Sequence, residues 1–160
     1  SVLSKVDSIA RRWLYMGRAR EHVPVAIDGT LRRETVSNQD RRPSVWVGHV
    51  VLETDRLNET EAFMRKIGMR PIVRRRDVAV LELRGGTHLV LIAKATVAAG
   101  AAPFDLMVDD LKVTWQRFVE LGLSPTPIEA AASDHQCFQL REPAGHLITF
   151  YSSHVSHQPV

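Results

Sequence analysis

Cysteine occurs once in 160 residues, aromatic residues make up only 6%, and no apolar run approaches the length of a bilayer. Each shortage excludes something. Cys137 has no partner within the chain, so no internal disulfide staples the fold, and a cytoplasmic, reducing setting is expected. The longest apolar runs, Leu89 to Ala93 and Val97 to Ala102, fall far short of the roughly 20 residues of a membrane helix, so no membrane partner is expected. There is no Gly-x-Ser-x-Gly elbow, phosphate loop, HExxH pair or CxxC pair, which removes the common hydrolase, nucleotide-binding, metalloprotease and thiol-redox signatures. The formal charge is only +3. That excess sits in residues 1–45, with nine basic and five acidic side chains, while residues 46–160 hold twelve and thirteen. With no nucleic-acid-binding motif beside it, no nucleic acid is expected as a partner.

What is present is enough for one buried core: 44% of the residues are hydrophobic. Leu3, Val6, Ala10, Trp13 and Leu14 recur at helical spacing, and four arginines lie off that stripe, which predicts an amphipathic helix over residues 2–20. A helix docked on its own domain or on a partner is favoured over one lying on a membrane. Residues 27–44, with Asp28-Gly29 and Pro43, read as a polar connector. The expected organisation is therefore a helical extension and linker over 1–45, a folded domain over 46–152, and a tail over 153–160.

Short strands begin at Trp46. The pattern predicts a strand to Thr54 and a helix from Asn58 to Ile67, with Asn58 and Glu61 spaced as a capping box and Gly68 as its stop. Strands follow at 71–75, 78–83 and, beyond Gly85-Gly86, at 88–93. The same order then recurs, with a strand at 104–108, a cap at Asp109 or Asp110, a helix through Leu121 and a stop at Gly122. A shift of 54 residues aligns Leu52 with Leu106, Asp55 with Asp109, Leu57 with Leu111, Gly68 with Gly122 and Pro71 with Pro125. Later, Gly86 aligns with Gly145 at a shift of 59, which puts about five extra residues in the second copy, near 129–134. The fold class is α+β, with two tandem βαβββ modules over 46–99 and 100–152.

Two segments carry a resemblance to a known family. They are Gly48-His49-Val50-Val51-Leu52, leading through Asp55 to a helix and Gly68, and Arg141-Glu142-Pro143-Ala144-Gly145-His146-Leu147-Ile148. With the repeat, they resemble the vicinal oxygen chelate superfamily of glyoxalases, bleomycin-resistance proteins and extradiol dioxygenases. The resemblance covers about two thirds of the chain. It implies two modules whose curved mixed sheets enclose a cup, often completed by a second subunit, so a homodimer and a small-molecule ligand are expected. In metal-dependent members, side chains on the first and fourth strands of each module hold one divalent ion.

Those positions here are His49, Pro103, Val90 and Thr149. Only His49 is a ligand type of that family, which implies a degenerate metal site. Alternate residues of a strand share a face, so His88 shares one with Val90, and Asp105 with Pro103. His49 and His88, with Asp105, form a candidate shifted set for one divalent ion such as Fe, Mn, Zn or Ni. In the alternative reading His49 hydrogen-bonds a ligand or neighbour, and His88 is an exposed hairpin residue. Asp105, Thr149 and Tyr151 are candidate substrate-binding residues. Cys137 is expected as a small core side chain, Arg74-Arg75-Arg76 as a solvated hairpin tip, and His154 and His157 as a solvated tail. The functional expectation is a small-molecule-binding protein. A glyoxalase-type lyase or dioxygenase centred on His49 and a protein-interaction module are the alternatives.

Overall fold

The computed structural model describes residues 44–131 and 135–153. The amphipathic helix, the connector up to Pro43, and His154 and His157 lie outside the described residues.

The first module runs β1 (His49–Thr54), α1 (Leu57–Ile67), β2 (Arg70–Arg74), β3 (Val78–Glu82), a short 3-10 turn (Arg84–Gly86) and β4 (His88–Ala93). The second runs β5 (Ala101–Val108), α2 (Leu111–Glu120), β6 (Glu129–Ala130), β7 (Gln136–Arg141) and β8 (Leu147–Ser152). Each forms a four-stranded mixed sheet, in the orders β1-β4-β3-β2 and β5-β8-β7-β6. In both, the first and last strands pair in parallel and the others antiparallel. The edge strands β1 and β5 pack beside each other and join the two halves. No helix among the described residues is long and apolar enough to cross a membrane.

Alternation along the strands explains the layering. Leu52, Ala79, Leu81, Leu89 and Leu91 share one face of the first sheet and are buried with Leu57, Phe63 and Met64 of α1. In the second sheet Phe138, Leu140, Ile148 and Phe150 meet Leu111 and Phe118 of α2, and the two sets form one core cluster. Phe118 is central to it, edge-on to Phe138 and Phe150, which stack on each other at 5.0 Å. Burying such a ring is worth about 1.5–3 kcal/mol.

The helix starts differ from each other because a residue of β2 intervenes at one of them. Asp110 caps α2 as expected, its carboxylate accepting from Val113 N at 2.9 Å. The capping box expected at Asn58 and Glu61 does not form, and α1 starts one residue earlier with no side-chain cap. Arg74 takes both side chains, donating to Asn58 Oδ1 and pairing with Glu61 at 2.8 Å. Thus Arg74, at the expected solvated tip, is instead tied to α1. The extra residues of the second copy fall between Thr126, which bonds Gln139, and β7. There β6 has only two residues where β2 has five.

Candidate functional site

The opposite faces of the two sheets carry the candidate residues. In the first sheet the register sets His49 opposite His88, His88 opposite Glu82, and Glu82 opposite Arg70. Directly opposed residues share a face, so these four make a lateral row across all four strands. The His49 and His88 rings lie 5.3 Å apart and tilted by 35°. Arg70 engages Glu82 through its guanidinium, so the carboxylate of the row is already committed. His49 is exposed and His88 half-buried.

In the second sheet Asp105 opposes Thr149, and Met107 opposes Tyr151. Gln139 opposes Thr149 from the other side and donates to its Oγ1 at 3.3 Å. Tyr151 is half-buried, and its ring lies 5.8 Å from that of His135. His135 Nδ1 is in turn 2.8 Å from the Ser152 carbonyl oxygen. Asp105 is exposed, so water can solvate its charge. Cys137 is a correction: it lies half-buried opposite Tyr151, with a free thiol, rather than in the core.

The registers also show how the four family positions differ. Val51 opposes Val90 in the first sheet as Asp105 opposes Thr149 in the second. Pro103, the counterpart of His49, falls in the register shift between Ala101 and Asp105. A proline there removes a ladder donor, which accounts for the break. Val90 is only 5% exposed and carries no donor atom. A protein-held divalent ion generally needs three side-chain donors or more. Among the described residues, no three His, Cys, Asp or Glu side chains come together to supply them. The two adjacent imidazoles therefore form at most part of such a set.

A polar cluster that sequence reasoning did not single out lies where the modules meet. Glu142, 2% exposed, accepts from Thr60 Oγ1 at 2.9 Å through Oε2. Its Oε1 accepts from His146 N at 3.0 Å and is 2.8 Å from His146 Nδ1. The Thr54 and Thr60 hydroxyls are 2.8 Å apart, and Thr54 Oγ1 accepts from Arg56 N. The chain of bonds runs from the end of β1, through α1, to the turn before β8. Its sequence signal is the Glu-x-x-x-His spacing around Pro143-Ala144-Gly145. The opposite seam is held on the surface by Arg84, which bonds both carboxylate oxygens of Asp109 at 2.7 and 2.6 Å. Those hydrogen bonds, and then the guanidinium charge, hold the Asp109 carboxyl below the usual range and raise Arg84.

No protein-family model matches the sequence. No curated protein matches it either. Solved structures do match. The lactoylglutathione lyase of Agrobacterium tumefaciens is 18% identical over 70% of this chain and 96% of its own, with a TM-score of 0.60. A bleomycin resistance determinant encoded on the transposon Tn5 is 17% identical over 69% of this chain and 100% of its own, with a TM-score of 0.59. A bleomycin-binding protein complexed with bleomycin is 17% identical over 69% and 100%, with a TM-score of 0.57. The paired βαβββ modules, their strand order and these likenesses define the class: the chain has the vicinal oxygen chelate fold.

Proposed function

We propose that this chain is a small-molecule-binding protein of the vicinal oxygen chelate fold that acts as a cytoplasmic homodimer, and that its cup holds ligand without a resident metal ion. The observation that carries the reading is the pairing of Asp105 with Thr149, with Tyr151 two residues along the same face. A carboxylate, a hydroxyl and a phenol in that order suit a flat or cationic ligand, with the ring as platform and Asp105 as counter-charge. The bleomycin-binding protein of similar fold, solved with bleomycin bound, lends support to a small-molecule-binding role. Pro103 and Val90 at two family ligand positions support the absence of a resident ion. The exposed run Val45-Trp46-Val47 supports the homodimer, since a second copy would cover apolar surface that water otherwise meets.

The test is a titration of the full chain with metal-free bleomycin in the presence of a chelator, followed by amide chemical shifts. Perturbation centred on Asp105, Thr149 and Tyr151, weakened about tenfold or more in Tyr151→Ala, is the expected result. Perturbation elsewhere, or affinity unchanged in that variant, defeats the assignment.

A second reading is favoured by one distance, the 5.3 Å between the His49 and His88 rings. In it the two imidazoles hold a divalent ion for a lyase or dioxygenase reaction, with a further donor from outside the described residues. Loss of both metal and activity in His49→Ala, with the fold intact, is what that reading requires.

A further inference from the structure

The two modules meet at two seams related by the internal repeat, and the seams are filled differently. At one seam, the Glu142 carboxylate reaches Thr60 beside Thr54. The repeat pairs Glu142 with Leu83, Thr60 with Thr114 and Thr54 with Val108. The backbone confirms the turn correspondence: Leu83 N donates to Thr87 O at 2.8 Å as Glu142 N donates to His146 O at 2.9 Å. At the second seam Leu83, Val108 and Thr114 all line an open cavity of about 520 Å³. Where the first seam is plugged by the chain's own carboxylate, the second presents an apolar leucine and empty space.

The cavity walls are chemically two-sided. Met69 and Phe150 supply apolar surface, and Arg117 of α2 lines the same space. Arg84 is paired with Asp109, and Arg70 with Glu82, whereas among the described residues Arg117 has no ion-pair partner. Its guanidinium lies beside Gly68, 3.9 Å from where a Cβ there would sit. Thr114 donates to the Asp110 carbonyl at 2.7 Å, a bond its hydroxyl can exchange for a better acceptor by rotation. A volume of this size suits a small ligand.

We infer that this second seam is a binding site for a small carboxylate with an apolar body, whose carboxylate takes the place that Glu142 occupies at the first seam. Thr114 and Arg117 receive the charge, as Thr60 and His146 receive that of Glu142. The apolar body replaces water against Met69 and Phe150. Its charge-receiving groups are on α2, whereas those proposed for the cup ligand are on β5 and β8.

The experiment titrates the full chain with 4-phenylbutyrate, and in parallel with 4-phenylbutan-1-ol and 4-phenylbutylamine, reading affinity by calorimetry and location by amide shifts. Binding of the carboxylate alone, with shifts at Leu83, Thr114 and Arg117, is expected. Arg117→Met should weaken it by about tenfold or more, the size of a lost charge-assisted hydrogen bond. Leu83→Glu, which supplies an internal carboxylate as Glu142 does, should abolish binding; if that variant fails to fold, the Arg117→Met comparison still decides. No binding of 4-phenylbutyrate, equal binding of the alcohol or amine, or affinity unchanged by Arg117→Met overturns the inference. Shifts centred on Thr149 and Tyr151 instead would overturn it while leaving the cup reading intact.

Discussion

Thr60 and Glu142, 82 residues apart in the chain, meet through a 2.9 Å hydrogen bond between buried side chains. A carboxylate with no solvent is tolerated only when its oxygens are paired, and here both are occupied, by Thr60 on one side and His146 on the other. The bond therefore couples α1 of the first module to the turn that opens β8 of the second.

Removing one partner exposes the asymmetry of that arrangement. Glu142→Ala leaves His146 and Thr60 buried without their acceptor and opens a cavity, and should cost about 2–5 kcal/mol. Thr60→Val keeps the shape but strips one donor from a buried carboxylate, for about 1–3 kcal/mol. Urea unfolding of both variants checks the order. Equal, sub-kilocalorie losses would mean that the cluster contributes little.

The same turn sets a second expectation. Gly145 has φ +99°, and a Cβ there would lie 2.9 Å from the Ala99 Cβ. Gly145→Ala thus meets both backbone strain and a close contact, and should lose about 1–3 kcal/mol. Gly85 also has positive φ, but no atom lies within 4 Å of its Cβ position. Thermal unfolding of Gly145→Ala beside Gly85→Ala separates the two effects, with the larger loss expected at Gly145.

Acid should act on the other seam. Asp109 is held below its ordinary value by Arg84, so its contribution is present above the unfolded value of about 3.9 and is lost as pH falls through the lower folded value. Both side chains are largely exposed, which makes the contribution small and salt-sensitive. In an NMR titration Asp109 should protonate below the ordinary aspartate value of about 3.9, and Arg84→Gln should restore it. A titration of Asp109 unchanged by Arg84→Gln would contradict the assignment.

The fold was legible in the sequence because its signals are local. Alternation marked the strands, Asp110 and Gly68 marked helix ends, and the 54-residue shift made each module a check on the other. What was not legible depends on contacts between distant segments. Arg74 drew Asn58 and Glu61 away from capping α1, and nothing within that helix announces it. The seam cluster needs Thr54, Thr60 and Glu142 to meet, and a Glu before a proline reads as a surface turn until the modules are packed together. Cys137 looked like core because its neighbours are, but strand parity turns it to the face away from the core, opposite Tyr151. For the candidate site, sequence parity put Asp105 and Thr149 on one face, and the register adds that they are direct neighbours. The break at Pro103 follows from its missing N–H, yet its effect on register emerges only once β5 is paired with β8.

In the proposed reading the cup holds its ligand without a resident metal ion. Elemental analysis by mass spectrometry of the full chain as purified, beside His49→Ala, tests it most directly. Well under one divalent ion per chain is expected in both proteins. One ion per chain in the parent, lost in a folded His49→Ala, would contradict it.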